Sequence, residues 1–196
     1  LSRIARRAQR SGLTGAEFAG GIPGSLGGAV YMNAGAYDGT MAGIVQETEF
    51  VDGEGNICTL KGDEHGFDYR TSVFRKHPDW TFLRSTMQLQ NGDSAAILDK
   101  MNDFAQRRRD KQPLNFPSAG STFKRPVGHF AGQLIEQAGL KGTSVGAAQV
   151  SEKHAGFLIN RGGATCDDML RLIELVQNRV REQFGVELEC EVRIVK

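Results

Sequence analysis

Between Gly20 and Gly39 the chain reads GGIPGSLGGAVYMNAGAYDG, and seven of these residues are glycine. Backbone so short of side chains is backbone that comes close to something, either another part of the fold or a ligand. Two readings stand level on the residues alone. One is a glycine-rich packed turn. The other is a concave nest of backbone amides, with Ser25 just ahead of a helix-like run that could aim further N–H groups at a diphosphate. The segment has neither a Gly-Lys-Ser/Thr ending nor the Gly-x-Gly-x-x-Gly spacing of the familiar nucleotide loops.

The rest of the chain is patterned around that segment. LSRIARRAQR has apolar residues at positions 1, 4, 5 and 8 and predicts a helix that begins without an upstream cap, as in a chain cut from something longer. Thr14 with Glu17 predicts a capping box opening a short helix. Two half-polar runs from Ile44 to Leu60 flank Asp52-Gly53-Glu54-Gly55, a hairpin pattern. A strand is expected over Trp80–Leu89, with Leu83, Met87 and Leu89 on one face. Asp93 or Ser94 caps a helix whose apolar face is Ile97, Leu98, Met101, Phe104 and Ala105 and which runs into Arg107-Arg108-Arg109. Lys111-Gln112-Pro113 stops it and marks the expected domain boundary, because Pro113 and Pro117 fix an extended connection. Beyond it, Phe130, Leu134, Ile135 and Ala138 outline a helix closed by Gly139. Thr165 with Asp168 caps a second, striped by Met169, Leu172, Ile173, Val176, Val180 and Phe184 and ended by Gly185. The alternation in LECEVRIV predicts a last strand with Glu191 on its more polar face.

At 196 residues the chain is one large domain or two small ones, long enough to bury roughly 70% of its unfolded surface. Its 24 basic and 23 acidic residues nearly cancel, which argues against nucleic acid or an anionic membrane as partner and makes any anion site a local one. Cys58, Cys166 and Cys190 have no paired spacing, which fits a reducing compartment. No apolar run approaches the ~20 residues of a membrane span and no leader pattern is present, so the cytoplasm is the expected location.

Five places could carry chemistry, and each has an ordinary alternative. Ser121 follows Ala119-Gly120 and precedes Lys124-Arg125, so its hydroxyl could approach a ligand beside an anion site; as a lone serine it reads as a turn or cap residue. Arg70, among Phe67, Tyr69 and Phe74, could grip a carboxylate in two-point fashion, although stacking on its aromatic neighbours is the stronger reading from the residues alone. Lys111 reads as the solvated end of a basic helix. Glu191 is a surface charge, or, if buried by a reacting carbon, an acid with a raised pKa. His154 in SEKHAGF reads first as a surface or capping residue and second as a substrate contact. The histidines and cysteines have no metal-ligand spacing, so no metal is expected.

The segments GGIPGSLGGAVYMNAGAY, FDYRTSVF, KQPLNFPSAGSTFKRP, QVSEKHAGFLIN and LECEVRIV, in that order and spacing, closely resemble the UDP-N-acetylenolpyruvoylglucosamine reductase family. The likeness runs through essentially the whole chain. It is similar to the shorter subclass, because the stretch between Arg70 and Lys111 leaves no room for an added substrate-covering insertion. The resemblance implies an α+β fold. Residues 1–110 would form the second subdomain of a vanillyl-alcohol-oxidase-type FAD-binding domain, and 111–196 a smaller substrate-binding domain. It implies FAD as cofactor, NADPH as reductant and a UDP-sugar as substrate, reduced at its enolpyruvyl group to UDP-N-acetylmuramate, a peptidoglycan precursor. It leaves the oligomeric state open.

Residue by residue, the family's catalytic arginine, serine and glutamate match Arg70, Ser121 and Glu191. Its flavin-contacting segment matches Gly20, Ile22, Pro23, Gly24, Ser25, Gly27, Gly28 and Asn33. Substrate contacts are implied at Tyr69, Lys111, Lys124, Arg125, Gln133 and His154. The family also has a preceding subdomain with a further glycine-rich flavin segment. The sequence as it stands is therefore expected to bind FAD weakly and turn over poorly, and its last strand is expected to pack on that subdomain. Cys190 stands where many relatives have proline. Two other functions remain in view: a flavoprotein of the same superfamily with a different substrate, and a non-catalytic nucleotide-sugar-binding module.

Overall fold

The computed structural model describes residues 1–195. The fold is α+β and divides into two compact units, Leu1–Arg107 and a second that starts at Arg108.

In the first unit, helix α1 (Ser2–Arg10) buries Ala5 and Ala8. A short strand β1 (Leu13–Thr14) follows, then a 3₁₀ turn over Glu17–Ala19. The expected capping box is not formed there. The Glu17 carboxylate is only 3% exposed and accepts instead from the Thr14 hydroxyl and the Gly15 amide, so the pair closes a loop rather than capping a helix. Burial acts to raise the Glu17 pKa, but these hydrogen bonds and Lys100, 3.9 Å away, prevail and hold it below the usual carboxylate value. Helix α2 (Leu26–Tyr31) leads to a miniature hairpin of β2 (Gly35–Ala36) and β3 (Gly39–Thr40). Strands β4 (Val45–Val51), β5 (Ile57–Lys61) and β6 (Thr81–Met87) then form an antiparallel sheet in the order β5-β4-β6.

The predicted β4–β5 hairpin is present. Its turn is tied by Asp52, whose carboxylate accepts from the amides of Glu54 and Asn56. Strand β6 departs from simple alternation. Its register against β4 shifts between Phe82 and Arg84, so Leu83 occupies a bulge and is 46% exposed, while Phe82, Ser85 and Met87 turn inward. One extra residue reverses the faces of everything beyond it. The inward set meets an aromatic cluster in which Trp80 stacks on Phe50 (4.2 Å between centroids) and Phe74 packs edge-on against both. Strand β7 (Gln90–Asn91) pairs with β1. Helix α3 (Ser94–Lys111) is capped by Asp93, which accepts from the Ala96 amide, and Ser94 is bonded to Gln9 of α1 in both directions. It buries Ile97 and Phe104 as expected but leaves Leu98 45% exposed, and Arg108 near its end is buried.

In the second unit, β8 (Ser118–Ser121), β9 (Ser144–Val145), β10 (Ala148–Val150) and β11 (Phe157–Asn160) form an antiparallel sheet ordered β8-β11-β10-β9. Helices α4 (Ala131–Gln137) and α5 (Cys166–Phe184) pack into the same core, joined by Phe123, Leu140, Ala155 and Leu188 from the connecting segments. Both bonds of the Thr165/Asp168 capping box form, Leu172, Val176 and Val180 are fully buried, and Gly185 ends α5 at φ 67°. Phe130 precedes α4 rather than joining its apolar face and is 56% exposed. The predicted last strand is reduced to one bridge, Phe123 opposite Cys190. Leu188, Cys190 and Val192 do alternate into the core, so the period is right, but among the described residues the backbone pairing of this segment is confined to Thr122–Lys124.

Candidate functional site

The glycine segment serves both readings, at different positions. A side chain at Gly39 would meet the Phe18 ring at 2.4 Å, at Gly35 the Gly39 carbonyl at 2.8 Å, and at Gly27 Phe82 at 3.0 Å, so these three exist for packing. Gly24 is different. Its φ is 144° and nothing lies within 4 Å of where a Cβ would be, so it is a backbone bend beside open space. Ser25 follows as the N-cap of α2 and accepts from the Gly28 amide at 3.1 Å. The first amides of the helix, at Leu26 and Gly27, have no acceptor within it. Pro23, Gly24 and Ser25 are exposed and Ile22 is half-buried, packed against the first unit's core. Gly20 sits close under the Glu17 carbonyl and Met101. Asn33 is nearly buried and both ends of its amide are used: Nδ2 donates to the Asp68 carbonyl at 3.0 Å, and Oδ1 accepts from the Ala42 amide at 2.9 Å.

Arg70 occupies a tight turn closed by the Asp68–Thr71 pair, at φ 55°. Tyr69, beside it, is 48% exposed and its ring lies 5.1 Å from the guanidinium carbon of Arg70, the stacking expected from the residues alone. Arg70 Nη2 also donates to the Gly35 carbonyl at 3.4 Å. The turn is anchored on its far side by Ser72, whose hydroxyl donates to the Tyr31 carbonyl at 2.7 Å. Just upstream lies a feature that the spacing of the histidines concealed. His65 is fully buried, its Nδ1–H donating to the Gly62 carbonyl (2.8 Å), which leaves Nε2 to pair with the Thr48 hydroxyl (2.9 Å). Thr48 in turn bonds Ser85 at 2.7 Å, and the His65 ring stacks on Phe67. The signal available in the sequence was Thr48, a polar residue at an inward position of β4.

In the second unit, Ser121 is the last residue of β8, not a turn residue, and it is exposed. The register against β11 shifts just before it: Ser118 opposes Ile159 and Ser121 opposes Phe157, with Gly120 at φ 85° absorbing the extra residue. That bulge re-aims the strand end. The chain then continues between two neighbours. The Thr122 amide donates to the Gly156 carbonyl, while the Thr122 carbonyl accepts from the Glu191 amide and the Lys124 amide donates to the Glu189 carbonyl. Ser121 and Glu191, distant in sequence, are thereby placed on adjacent backbone. Glu191 is half-buried. Between them and the core, burial pushes the Cys190 thiol pKa up and the charge of Glu189 adds to it, so this cysteine stays protonated.

The cations nearby are already engaged. Lys124 is paired with Glu189, and Arg125 lies over the Phe130 ring at 4.0 Å. Gln133 is an exposed residue of α4 and Lys111 is the exposed last residue of α3. His154 is a packing residue first. It fills the space over Gly132 and Gly156, its Nδ1 accepts from the Gly156 amide at 3.1 Å, and its ring meets Phe157 edge-on at 4.9 Å. Burial holds its pKa below the ordinary histidine value. Among the described residues no cluster of His, Cys, Asp or Glu could hold a metal, and no helix is long and apolar enough to cross a membrane.

Residues 1–61 match an FAD binding domain, and residues 112–195 match the C-terminal domain of UDP-N-acetylenolpyruvoylglucosamine reductase. Proteins of that name from Clostridium botulinum (strain 657) and Clostridium novyi are 51% and 53% identical to this chain over 195 residues. All of this chain is covered in those alignments, but it spans 63% of either relative's length. The crystal structure of UDP-N-acetylenolpyruvylglucosamine reductase from Thermus caldophilus superposes with a TM-score of 0.82 at 36% identity, over 98% of this chain and 69% of that one. The chain belongs to the UDP-N-acetylenolpyruvoylglucosamine reductase family.

Proposed function

We propose that this chain carries the activity of its family, the NADPH- and FAD-dependent reduction of UDP-N-acetylglucosamine enolpyruvate to UDP-N-acetylmuramate, a step of peptidoglycan precursor synthesis in the cytoplasm. On this reading residues 1–110 belong to the flavin-binding domain and 111–196 to the substrate-binding domain. The observation that supports it is the lacing of the Thr122 and Lys124 backbone to Glu191 and Glu189, which brings the strand end at Ser121 close in the fold to the backbone of Glu191.

The residues of the flavin segment fit that cofactor: the open bend at Gly24 and the uncommitted first amides of α2 suit an anionic phosphate edge. Flavin chemistry supplies the hydride when the cofactor is bound. Reduction of the enolpyruvyl double bond adds that hydride to the methylene carbon and leaves negative charge on the neighbouring carbon and its carboxylate. Arg70 would bind the carboxylate, and its charge is worth most as that anion develops. Ser121 Oγ would deliver the proton that completes the neighbouring carbon. Glu191 would hold and polarise the carboxylate or its enol form. Lys111, Lys124 and Arg125 would hold the diphosphate, Lys124 exchanging its Glu189 partner for phosphate. Tyr69, Gln133 and His154 would complete the substrate contacts.

The test is NADPH oxidation by the flavin-loaded full-length protein, with and without the enolpyruvyl UDP-sugar. Substrate-dependent oxidation supports the assignment. A protein that is yellow but indifferent to the sugar would be a flavoprotein of other specificity, and one that retains no flavin would be a binding module. Ser121→Ala should leave flavin reduction by NADPH intact and slow reoxidation by the sugar ~10²–10⁴-fold. Equal slowing of both half-reactions would make Ser121 structural.

A further inference from the structure

The four described non-glycine residues with positive φ are Asn33, Tyr37, Asp38 and Arg70, and they occupy one small part of the first unit. Tyr37 and Asp38 form the tip of the β2–β3 hairpin, and Arg70 donates to Gly35 at the base of that hairpin. Asn33 lies two residues before Gly35 and reaches the other way, to Asp68, the first residue of the Arg70 turn. Left-handed backbone at a non-glycine residue persists only where its surroundings over-determine it. Here the turn's own closing bonds are long, 3.2 and 3.3 Å between Asp68 and Thr71, so they do not fix it alone. Two outside ties complete it, Asn33 on Asp68 and the Tyr31 carbonyl on Ser72.

We propose that Asn33 is a positioning residue for Arg70, acting through the Asp68 carbonyl, rather than a contact to the flavin. The residue type follows from the task. The position needs a donor toward Asp68 and an acceptor for Ala42 in one short planar group, and it needs a backbone that tolerates φ 45°. Asparagine supplies all three. Aspartate keeps the acceptor and the backbone but turns an oxygen toward a carbonyl, and glycine keeps only the backbone. With the amide engaged at both ends by protein partners and only 7% of the residue exposed, the side chain is turned to the fold rather than to a ligand. The task assigned to Arg70 rests on the reductase reading above; the hold on the turn does not.

The experiment compares Asn33→Gly and Asn33→Asp with the parent, as flavin-loaded proteins, by amide hydrogen exchange and by separate half-reactions. The amides of Asp68 and Thr71 should exchange about tenfold faster or more, with those of β4 unchanged. Flavin content and reduction by NADPH should match the parent, while reoxidation by the enolpyruvyl sugar slows on the order of 10²-fold, as for a misplaced catalytic group. In an Arg70→Lys background the same substitutions should add little further slowing, because both act on one guanidinium. Unchanged exchange at Thr71 overturns the proposal. So does loss of flavin with the turn intact, or full multiplicative slowing in the Arg70→Lys background. If Asn33→Gly does not fold, Asn33→Asp gives the same readouts. If the parent itself ignores the sugar, the reductase reading falls, and the exchange data still decide whether Asn33 holds the turn.

Discussion

At the scale of single residues, the glycines show why composition underdetermines role. Gly39 and Gly24 look alike in the sequence, yet one is pressed against the Phe18 ring and the other bends into open space. Gly39→Ala should therefore cost about 1–3 kcal/mol of stability in urea unfolding, the penalty for overpacking a site that has no room. Gly24→Ala meets no atom, and its cost comes from backbone strain at φ 144° instead. A result in which Gly39→Ala is silent would mean that the Phe18 ring can move aside. Neither fate was legible from the segment itself, because Phe18 lies outside the glycine run and Gly24 has no contact to betray it. Arg70 was legible in part: its aromatic neighbours predicted the stack on Tyr69, but not the left-handed turn that presents it. His65 left only an indirect trace, the polar Thr48 at an inward position of β4, because the two partners are 17 residues apart in the chain.

Elements whose signals are local came through intact. Helix α5 was readable in full because its cap, stripe and stop all lie within one stretch of chain, and each of the three is where the pattern put it. Thr165→Ala removes the acceptor for the Asp168 amide and should lower stability by ~1 kcal/mol, seen as an earlier urea midpoint with an unchanged slope. A changed slope would point to a different unfolded state instead. Strands fared worse, because pairing register is settled between segments. The bulge at Leu83 defeated the alternation read along β6, and the bulge at Gly120 turned an expected turn serine into the end of a strand. The last segment kept its alternation and lost its length, since a strand runs only as far as its partner does.

Taken whole, the molecule builds two cores of different character. The first is an aromatic cluster under a twisted three-stranded sheet, the second an aliphatic packing of α4 and α5 with the sheet that ends in Ser121. His154 makes the stability of the second dependent on acid. Its folded pKa lies below the unfolded value, so the unfolded chain takes up the proton first, and stability falls as pH drops below about 6.5. The unfolding midpoint of this unit should decrease between pH 7.5 and 5.5. His154→Asn, whose side-chain oxygen can still accept from the Gly156 amide, should flatten that decrease, and a slope that survives the change would belong to other groups. The pairing of Thr122 and Lys124 with Glu191 and Glu189 has a consequence in time as well. All of α4, β9 to β11 and α5 lies between those partners in the chain, so the closing of so long a loop is rewarded only after the intervening helices have collapsed. During refolding, the amides of Lys124 and Glu191 should become shielded from pulse labelling after those of α5. The strand end at Ser121 and the segment carrying Glu191 would then be joined only in chains that have already folded correctly elsewhere.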